Sequence, residues 1–434
     1  MTTVKDVYLQ KLCTPAEIAN QLQSGWTCCS DIGLGIPYAI TDAIGDRARR
    51  GDLTGITMHT ILDTKPMPCY DPELAQHIHG VSWFSGVQAR RAVGGGYGDV
   101  MPCYYRDMPG LFDQFVDIDA LCIVVAPMDR NGYFSAGVTA SNTATMLDKA
   151  KRIYLEVNAE MPRISSAPML HISQVTALCE HNAPLPVLDT APPDEVSSKI
   201  GSIIAERICD GATIQLGIGS IPNAVGLALL EKHHLGIHTE MFTDSMVALM
   251  KSGAVDNSKK PIHRGRSVTT FAMGNAEMYE YLHDNPAIEM LPVDHVNDPA
   301  VISQHPNFVS INAALEVDFY GQVCAESLGS RHISGTGGQV DYVRGATQSK
   351  GGMSFIAFPS TAKNGTVSKI APMLTQGAIV TTGKNDVDNV VTEYGIAKLR
   401  GQPLSQRVKN LIAIAHPDFR DQLTFAAKKQ NLII

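Results

Sequence analysis

The sequence predicts an α/β protein made of two similar open domains with mostly parallel sheets. Strand-like runs such as residues 121–125 (LCIVV) alternate with helical patterns, which is typical of parallel sheets covered by helices on both faces. A chain of 434 residues is also too long for a single hydrophobic core. The proline-rich stretch 182–194 (NAPLPVLDTAPPD) has no periodicity and indicates a linker between domains 1–185 and 186–434.

Local signals place several elements along the chain. A helix is predicted over 14–22, because Thr14 can cap it and Pro15 suits its first position. A second helix is predicted over 36–50, where a basic last turn precedes a glycine. Residues 121–125 and 152–157 are predicted strands, and residues 195–209 form a predicted helix leading into the second domain.

Two segments resemble each other and suggest an internal duplication. Residues 25–59 and 211–241 both open with Gly-x-Thr, continue with Gly-x-Gly and Ile-Pro, and close with a Gly-Ile pair. When Gly55-Ile56 is laid on Gly236-Ile237, Glu240 takes the place of His59. A duplicated scaffold with one divergent side chain at a strand end predicts one scaffold half and one chemistry half. Chance similarity between two α/β units is the alternative.

Composition excludes several classes of protein. The net charge of -8 argues against a nucleic-acid partner, and no apolar run is long enough to cross a membrane. The nine cysteines are scattered without a Cys-x-x-Cys motif, which predicts reduced thiols in a cytoplasmic protein. The histidines in 77–79 and 233–234 lack Cys or carboxylate partners at ligand spacing, so no metal site is predicted.

Glycine-rich turns mark two candidate binding segments. Gly217-Ile218-Gly219 follows a predicted strand and precedes a helix, as in dinucleotide-binding sites, but Pro222 stands where the third glycine would be. A second turn, 334–340 (SGTGGQV), exposes backbone amides that could stabilise an oxyanion. The loops 344–352 and 358–365 are basic and rich in hydroxyl groups, which suits a long phosphorylated ligand.

Several motifs in the second half carry a resemblance to a known family. Residues 334–346 (SGTGGQVDYVRGA), 359–363 (PSTAK), 391–401 (VTEYGIAKLRG) and 413–420 (AIAHPDFR) occur in the order typical of the acetyl-CoA hydrolase/transferase family of class I CoA-transferases. The chain most resembles the 4-hydroxybutyrate, butyrate and acetate CoA-transferases. The resemblance implies a duplicated CoA-transferase fold with the active site in the cleft between the domains. It also implies a homodimer or an assembly of dimers.

The resemblance assigns roles to individual residues. Glu240, in the segment His238-Thr239-Glu240-Met241, matches the nucleophilic glutamate of the family, and Asn297 matches the asparagine of its oxyanion hole. The backbone amide of Gly338, in the turn 334–340, is the further catalytic candidate as an oxyanion donor. Acyl-CoA and short-chain carboxylates are the implied substrates, with no permanently bound cofactor. The implied CoA contacts are Gly217, Ile218, Gly219, Ser220, Ile221, Leu315 and Gly338. Residues 94–100 (GGGYGDV) depart from the family pattern Asn-x-Gly-Arg-Ala-Asp-Tyr, so the acyl group stays open.

The chemistry of CoA transfer explains why a carboxylate would be used. A glutamate can attack an acyl-CoA to form a mixed anhydride, which CoA then converts into a glutamyl-CoA thioester. A second carboxylate can take the CoA from this thioester. Serine or cysteine could hold the acyl group but could not hold CoA as a thioester. Three alternatives remain at this stage: hydrolysis of acyl-CoA at the same site, a nicotinamide-linked dehydrogenase using Gly217-Ile218-Gly219, and a non-catalytic CoA sensor. His238 either tunes the carboxylate or only shapes the pocket.

Overall fold

The computed structural model describes residues 3–188 and 192–434, and its contacts divide the chain into two compact units. The first unit comprises Met1–Leu188 and Thr269–His295, and the second comprises Asp189–Val268 and Val296–Ile434. Part of the predicted linker, residues 189–191, lies outside the described residues.

The helices and strands follow one another in alternation, as the sequence predicts. The helices are α1 (Val4–Lys11), α2 (Pro15–Gln21), α3 (Tyr38–Arg49), α4 (Val87–Gly94), α5 (Met108–Phe115), α6 (Thr143–Lys149), α7 (Glu195–Ala205), α8 (Ser220–Ala228), α9 (Asp244–Lys251), α10 (Ala276–Leu282), α11 (Val293–Val296), α12 (Pro299–Ile302), α13 (Gln339–Gln348), α14 (Leu404–Ala413) and α15 (Pro417–Lys429). The strands are β1 (Thr27–Ile32), β2 (Ile56–Ile61), β3 (Ile78–Ser82), β4 (Asp99–Val100), β5 (Ala120–Val125), β6 (Tyr133–Ser135), β7 (Ile153–Val157), β8 (Met169–His171), β9 (Ala177–Glu180), β10 (Thr213–Leu216), β11 (Gly236–Ile237), β12 (Met241–Phe242), β13 (Ser267–Thr269), β14 (Phe271–Ala272), β15 (Ile288–Met290), β16 (Val309–Ala313), β17 (Glu316–Asp318), β18 (Val323–Cys324), β19 (Ser327–Leu328), β20 (Arg331–His332), β21 (Met353–Ala357), β22 (Thr361–Ala362), β23 (Val367–Ser368), β24 (Ile370–Ala371), β25 (Asn389–Thr392) and β26 (Gly395–Lys398).

The local signals mark the first helices correctly. The hydroxyl group of Thr14 accepts a hydrogen bond from the amide of Glu17, whose carboxylate in turn accepts from the amide of Thr14. This reciprocal capping fixes the start of α2, and Pro15 occupies its first turn without loss of a hydrogen bond. The predicted helix over 195–209 is shorter in the structure and ends at Ala205.

Both units are built on a parallel sheet of the same topology. In the first unit the strand order is β4-β3-β2-β1-β5-β7-β9, and every pair is parallel. In the second unit the order is β11-β10-β16-β21-β25-β26, parallel except for the last pair. The five neighbouring strands β2-β1-β5-β7-β9 of the first sheet thus follow the same spatial order, relative to the chain, as β11-β10-β16-β21-β25 of the second. This agreement supports the predicted duplication.

The strand register changes the details of that duplication. Thr27 pairs with Thr57 across β1 and β2, whereas Thr213 pairs with Gly236 across β10 and β11. If Thr27 and Thr213 are equivalent, Gly236 corresponds to Thr57 and not to Gly55. His238 then corresponds to His59, and Glu240 corresponds to Ile61 and not to His59. The sequence alignment on the Gly-Ile pairs was therefore wrong by two residues, because the loops before the two strands differ in length.

The segment Thr269–His295 belongs to the first unit, although the predicted division into 1–185 and 186–434 places it in the second domain. The amide of Ala140 donates to the carbonyl of Thr270, and the hydroxyl of Tyr279 donates to the carbonyl of Pro186 at 2.7 Å. The chain therefore returns to the first unit after its second-unit sheet has begun. Such long-range pairing leaves no local signal in the sequence. The exact domain boundary at 185 stays a prediction.

The burial of the central strands agrees with the apolar pattern of the sequence. Strand β5 is buried along its whole length, as expected for a central strand covered on both faces. No disulfide joins any of the nine cysteines, which all lie in the described residues, and Cys209 is exposed. No helix in residues 3–188 and 192–434 is long and apolar enough to cross a membrane.

A close helix contact in the second unit provides a test of this packing. Gly201 lies in α7, where a Cβ would stand 2.8 Å from both the carbonyl carbon and the Cβ of Ala224 in α8. We expect Gly201→Ala to destabilise the protein by about 1–3 kcal/mol, because the two helices must move apart. Thermal unfolding of the variant measures this loss.

The matched control is Gly110→Ala in α5, where a Cβ would meet nothing within 4 Å. There the same substitution should raise stability by about 0.5–1 kcal/mol through helix propensity. A midpoint for Gly201→Ala at or above that of the wild type would contradict the close packing of α7 on α8.

Candidate active site

The candidate site lies at the carboxyl edge of the second-unit sheet. Glu240 follows β11, the turn 217–219 follows β10, and Leu315 follows β16. These three strands are adjacent and parallel, so their carboxyl ends meet at one edge of the sheet. The strand order reverses between β10 and β16, and in open α/β sheets such a switch point is where ligands bind.

The carboxyl group of Glu240 accepts hydrogen bonds from two of the predicted site residues. Asn297 Nδ2 donates to Glu240 Oε2 at 2.8 Å, and the backbone amide of Gly338 donates to the same carboxyl group. Asn297 is fully buried, and its Oδ1 has no hydrogen-bond partner among the described residues. The structure therefore brings together the three residues predicted to be catalytic.

The glycine at position 338 is required by close approach and not by backbone conformation. Gly338 has φ -95° and ψ 8°, which any residue can adopt, so a need for positive φ does not explain it. A Cβ at this position would overlap both Glu240 Oε2 and Asn297 Nδ2. Gly338 is the N-cap residue of α13, so the amide that donates to the carboxyl group lies at the positive end of this helix.

Two side chains that the sequence reasoning left without a role hold the Gly338 turn in place. Gln339 Nε2 donates to the carbonyl of Ala313 at the end of β16, and Gln339 Oε1 accepts from Thr382 Oγ1, each at 2.8 Å. Glu326 accepts from Thr336 Oγ1 at 3.1 Å. Both are polar groups with long-range partners, so only the tertiary structure reveals their function; Gln339 did lie within the motif 334–340.

Burial changes the acidity of Glu240. The residue as a whole is half-buried, but its carboxyl group is enclosed by protein atoms. Burial raises the pKa of Glu240 to about 7, against the opposing effect of the hydrogen bonds from Asn297 and Gly338. A carboxyl group poised near neutral pH in this way is typical of a functional site.

The predicted CoA-contacting loop is exposed at its tip and anchored at its base. Gly217 extends β10 by donating to the carbonyl of Ile311 at 3.0 Å, and Ile218 is 51% exposed. Gly219 has φ 115°, a conformation that favours glycine, and α8 begins directly after it. Helix α8 starts at Ser220, so Pro222 lies inside its first turn.

The remaining members of the predicted CoA set lie beside this loop in the fold. Ser220 Oγ is 2.9 Å from Ser197 Oγ of α7, and Ile221 is buried. Leu315 is half-buried, and its amide donates to the carbonyl of Cys324. Their contact with CoA stays a prediction.

Two further residues, Glu393 and His238, have well-defined surroundings. Glu393 accepts from the amide of Ser360 at 2.9 Å and from its hydroxyl at 2.5 Å, which links the ends of β25 and β21. His238 is fully buried, and β11 ends before it, so His238 and Glu240 do not share a regular strand. Within the described ranges, no group of three or more His, Cys, Asp or Glu residues could hold a metal ion.

Comparison with known proteins identifies the family to which this sequence is similar. The model of the acetyl-CoA hydrolase/transferase N-terminal domain matches residues 2–189, and the model of the C-terminal domain matches residues 274–427.

Relatives match along nearly the whole chain. The succinyl-CoA:cyclohexane-1-carboxylate CoA transferase of Geobacter metallireducens is 47% identical over 98% of this chain and 97% of its own. The 4-hydroxybutyrate coenzyme A transferase of Clostridium kluyveri is 40% identical over 98% of this chain and 99% of its own. The crystal structure of RipA from Yersinia pestis superposes with a TM-score of 0.94 at 40% identity, covering 99% of this chain and 100% of that one. These matches confirm the resemblance carried by the motifs and rule out the dehydrogenase interpretation of the glycine turn: the chain belongs to the acetyl-CoA hydrolase/transferase family.

Proposed function

We propose that this protein transfers CoA from an acyl-CoA to a free carboxylate, with Glu240 as the covalent carrier. The observation that carries the proposal is the convergence of Asn297 and the Gly338 amide on the carboxyl group of Glu240 at the carboxyl edge of a parallel sheet. Relatives that match nearly the whole chain are CoA-transferases. A carboxyl group with two converging donors provides both a nucleophile and the means to stabilise charge on its own carbon.

The reaction proceeds in two exchanges at the glutamate. Glu240 attacks the thioester carbonyl of acyl-CoA and expels CoA thiolate, which leaves a mixed anhydride between Glu240 and the acyl group. The thiolate then attacks the glutamyl carbonyl, releases the donor acid as a carboxylate and forms a glutamyl-CoA thioester. The acceptor carboxylate repeats both steps in reverse, so that acyl-CoA leaves and the Glu240 carboxylate is restored.

The two donors would act on the glutamyl group itself. Because Asn297 Nδ2 contacts Oε2, we assign the attack to Oε1. In the anhydride and the thioester, Oε2 then becomes the glutamyl carbonyl oxygen. Each attack on that carbon converts Oε2 into an oxyanion, which the Asn297 amide and the Gly338 N–H are placed to stabilise.

The substrates proposed for this chain are acyl-CoA donors and small carboxylate acceptors. Acetate, butyrate and 4-hydroxybutyrate follow from the family motifs, and the relative from Geobacter metallireducens adds succinyl-CoA and cyclohexane-1-carboxylate to the compounds to be tested. A panel of these donors and acceptors, with free thiol measured in parallel, separates transfer from hydrolysis. Net thiol release without acyl-CoA formation on the acceptor would favour a hydrolase.

The proposal includes a cytoplasmic homodimer or an assembly of dimers that uses CoA only as a substrate. The cytoplasmic location is supported by the nine cysteines of the described residues, which form no disulfide and so suit a reducing compartment. The dimer follows from the family motifs.

Loss of the Glu240 carboxylate should abolish transfer. We expect Glu240→Gln to lower kcat by at least about a thousandfold, on the order of 4 kcal/mol, because an amide cannot form the covalent intermediate. Binding of CoA should persist, since the Gln side chain can still accept from Asn297. Steady-state transfer kinetics and equilibrium CoA binding measure the two effects.

Covalent capture is the control for this variant. The wild type should show ping-pong kinetics and be inactivated by borohydride after exposure to acyl-CoA alone, because the reagent reduces the glutamyl thioester; Glu240→Gln should resist. Sequential kinetics in the wild type, together with transfer by Glu240→Gln near the wild-type rate, would remove Glu240 from the mechanism.

The pH profile should report the acidity of Glu240. Since only the ionised carboxylate attacks, kcat/KM should fall about tenfold per pH unit below pH 7, where the pKa of Glu240 lies. Ionisation of Glu240 also makes the stability of the folded protein depend on pH. Its pKa is higher in the folded protein than the ordinary value of 4.5, so wild-type stability should decrease between about pH 4.5 and pH 7.

Glu240→Gln again provides the comparison, because it cannot ionise. Its unfolding free energy should exceed that of the wild type above pH 7 by on the order of 2–3 kcal/mol and match it near pH 4.5. A stability difference that does not change with pH would contradict the assigned acidity.

Substitution of Gly338 should impair the chemistry more than the binding. In Gly338→Val the new side chain displaces Glu240 and Asn297. We therefore expect kcat to fall on the order of a hundredfold, which corresponds to a rise of roughly 3 kcal/mol in the activation free energy, with little loss of CoA affinity. Gly383→Ala is the control, because a Cβ there would meet nothing within 4 Å. A folded Gly338→Val protein that turns over normally would exclude this turn from the mechanism.

A further inference from the structure

We propose that His238 is a positioning residue for CoA transfer, which holds the Val296 carbonyl and thereby sets the Asn297 amide on Glu240. This inference rests on the proposed function of the site. His238 Nε2 lies 2.7 Å from the carbonyl oxygen of Val296, and Asn297 is the next residue along the chain. Asn297 Nδ2 in turn lies 2.8 Å from Glu240 Oε2.

These contacts close a small ring around the reactive carboxyl group. The backbone joins His238 to Glu240 through Thr239 alone, and it joins Val296 directly to Asn297. The two hydrogen bonds complete the ring. Because each side of the ring is short, a shift of the Val296 carbonyl moves the Asn297 donor with it. The hydrogen bond from His238 therefore restricts where that donor can lie.

The side chain of Asn297 depends on this restraint. Its Oδ1 has no hydrogen-bond partner among residues 3–188 and 192–434, so the amide group is oriented by its bond to Glu240 and by the position of its backbone. If Oδ1 also had a hydrogen-bond partner, the amide group would keep its orientation even when the Asn297 backbone moved. The Tyr342 hydroxyl also contacts the Val296 carbonyl, but at 3.4 Å, which makes the shorter bond from His238 the stronger of the two.

The surroundings of His238 keep its imidazole neutral. A carbonyl oxygen can only accept, so Nε2 carries the proton, while Nδ1 has no hydrogen-bond partner in the described part of the chain. The groups that face the ring are His305, at 5.0 Å between centroids, His263, at 6.5 Å, and the ammonium of Lys260. Burial, followed by the charge effects of these neighbours, lowers the pKa of His238 well below its ordinary value.

A neutral His238 separates two roles that the sequence left open. It does not titrate near neutral pH, so the acid limb of the pH profile belongs to Glu240. His238 would instead change that limb indirectly: with the Asn297 donor displaced, the carboxylate loses stabilisation and the pKa of Glu240 rises. A merely structural histidine would leave the limb where it is.

The test compares three variants in the full-length protein. We expect His238→Leu to lower kcat by at least about tenfold, to leave the KM for acyl-CoA unchanged and to move the acid limb of kcat/KM to higher pH. His238→Gln should recover most of the rate, because its amide can reach the Val296 carbonyl. The control is His305→Leu, which removes a neighbouring buried imidazole whose two nitrogens have no partner in the described residues.

The outcomes are distinct from those that test the proposed function. If His238→Leu and His305→Leu lose activity only in proportion to folded protein, with the wild-type pH limb, the positioning role is overturned while transfer through Glu240 stands. If the wild type shows no transfer and no covalent capture, both proposals are overturned.

A second pair of variants decides the question should His238→Leu not fold. Asn and Gln are both polar, but an Asn amide is placed near the Nδ1 position and falls short of the Val296 carbonyl. Faster turnover with Gln than with Asn supports the positioning role, and equal turnover in the two folded variants overturns it.

Discussion

The site depends on one constraint, the enclosure of the Glu240 carboxyl group by protein atoms. Two hydrogen-bond donors hold this group, and they approach it so closely that position 338 has no space for a side chain. Burial of Glu240 opposes its ionisation, and the hydrogen bonds from Asn297 and Gly338 partly restore it. The balance leaves a carboxyl group whose pKa lies near neutral pH. Because Gly338 lacks a Cβ, the helix amide can approach the carboxyl group at a distance that no other residue would allow.

The parallel sheet explains how residues far apart in sequence reach this point. The three residues lie on separate connections: Glu240 follows β11, Asn297 lies between α11 and α12, and Gly338 directly precedes α13. Gln339 bridges the start of α13 to the end of β16, so the donor turn is tied to the sheet and not left to the flexibility of a glycine-rich loop. Rigid support of this kind is what a preorganised donor needs, since movement during the reaction would cost the stabilisation it provides.

The duplicated topology shows how one scaffold supports two different strand ends. Strands β2 and β11 have the same place in their sheets, and the register makes His59 equivalent to His238. The two histidines nevertheless bond differently: His59 Nδ1 accepts from Trp83 Nε1 at 3.0 Å, whereas His238 donates to a backbone carbonyl. The position equivalent to Glu240 is Ile61, which is fully buried. Of these two strand ends, only the one in the second unit carries a carboxyl group, while both carry a histidine two residues earlier.

The sequence by itself determined the fold class, the caps of α2, the central strands and the family, because these follow from periodicity, local capping residues and motifs of fixed order. It offered the Gly338 amide as a candidate oxyanion donor through the glycine-rich turn. Glu240 and Asn297 became candidates only through the family resemblance, since an acid at a strand end has no local mark of reactivity. The tertiary structure was needed for the register of the duplication, the return of Thr269–His295 to the first unit and the contacts of Gln339, Glu326 and His238. Each of these depends on contacts between residues distant in the chain, and neither the hydrophobic pattern nor the turn chemistry of a segment records which distant segment it will meet.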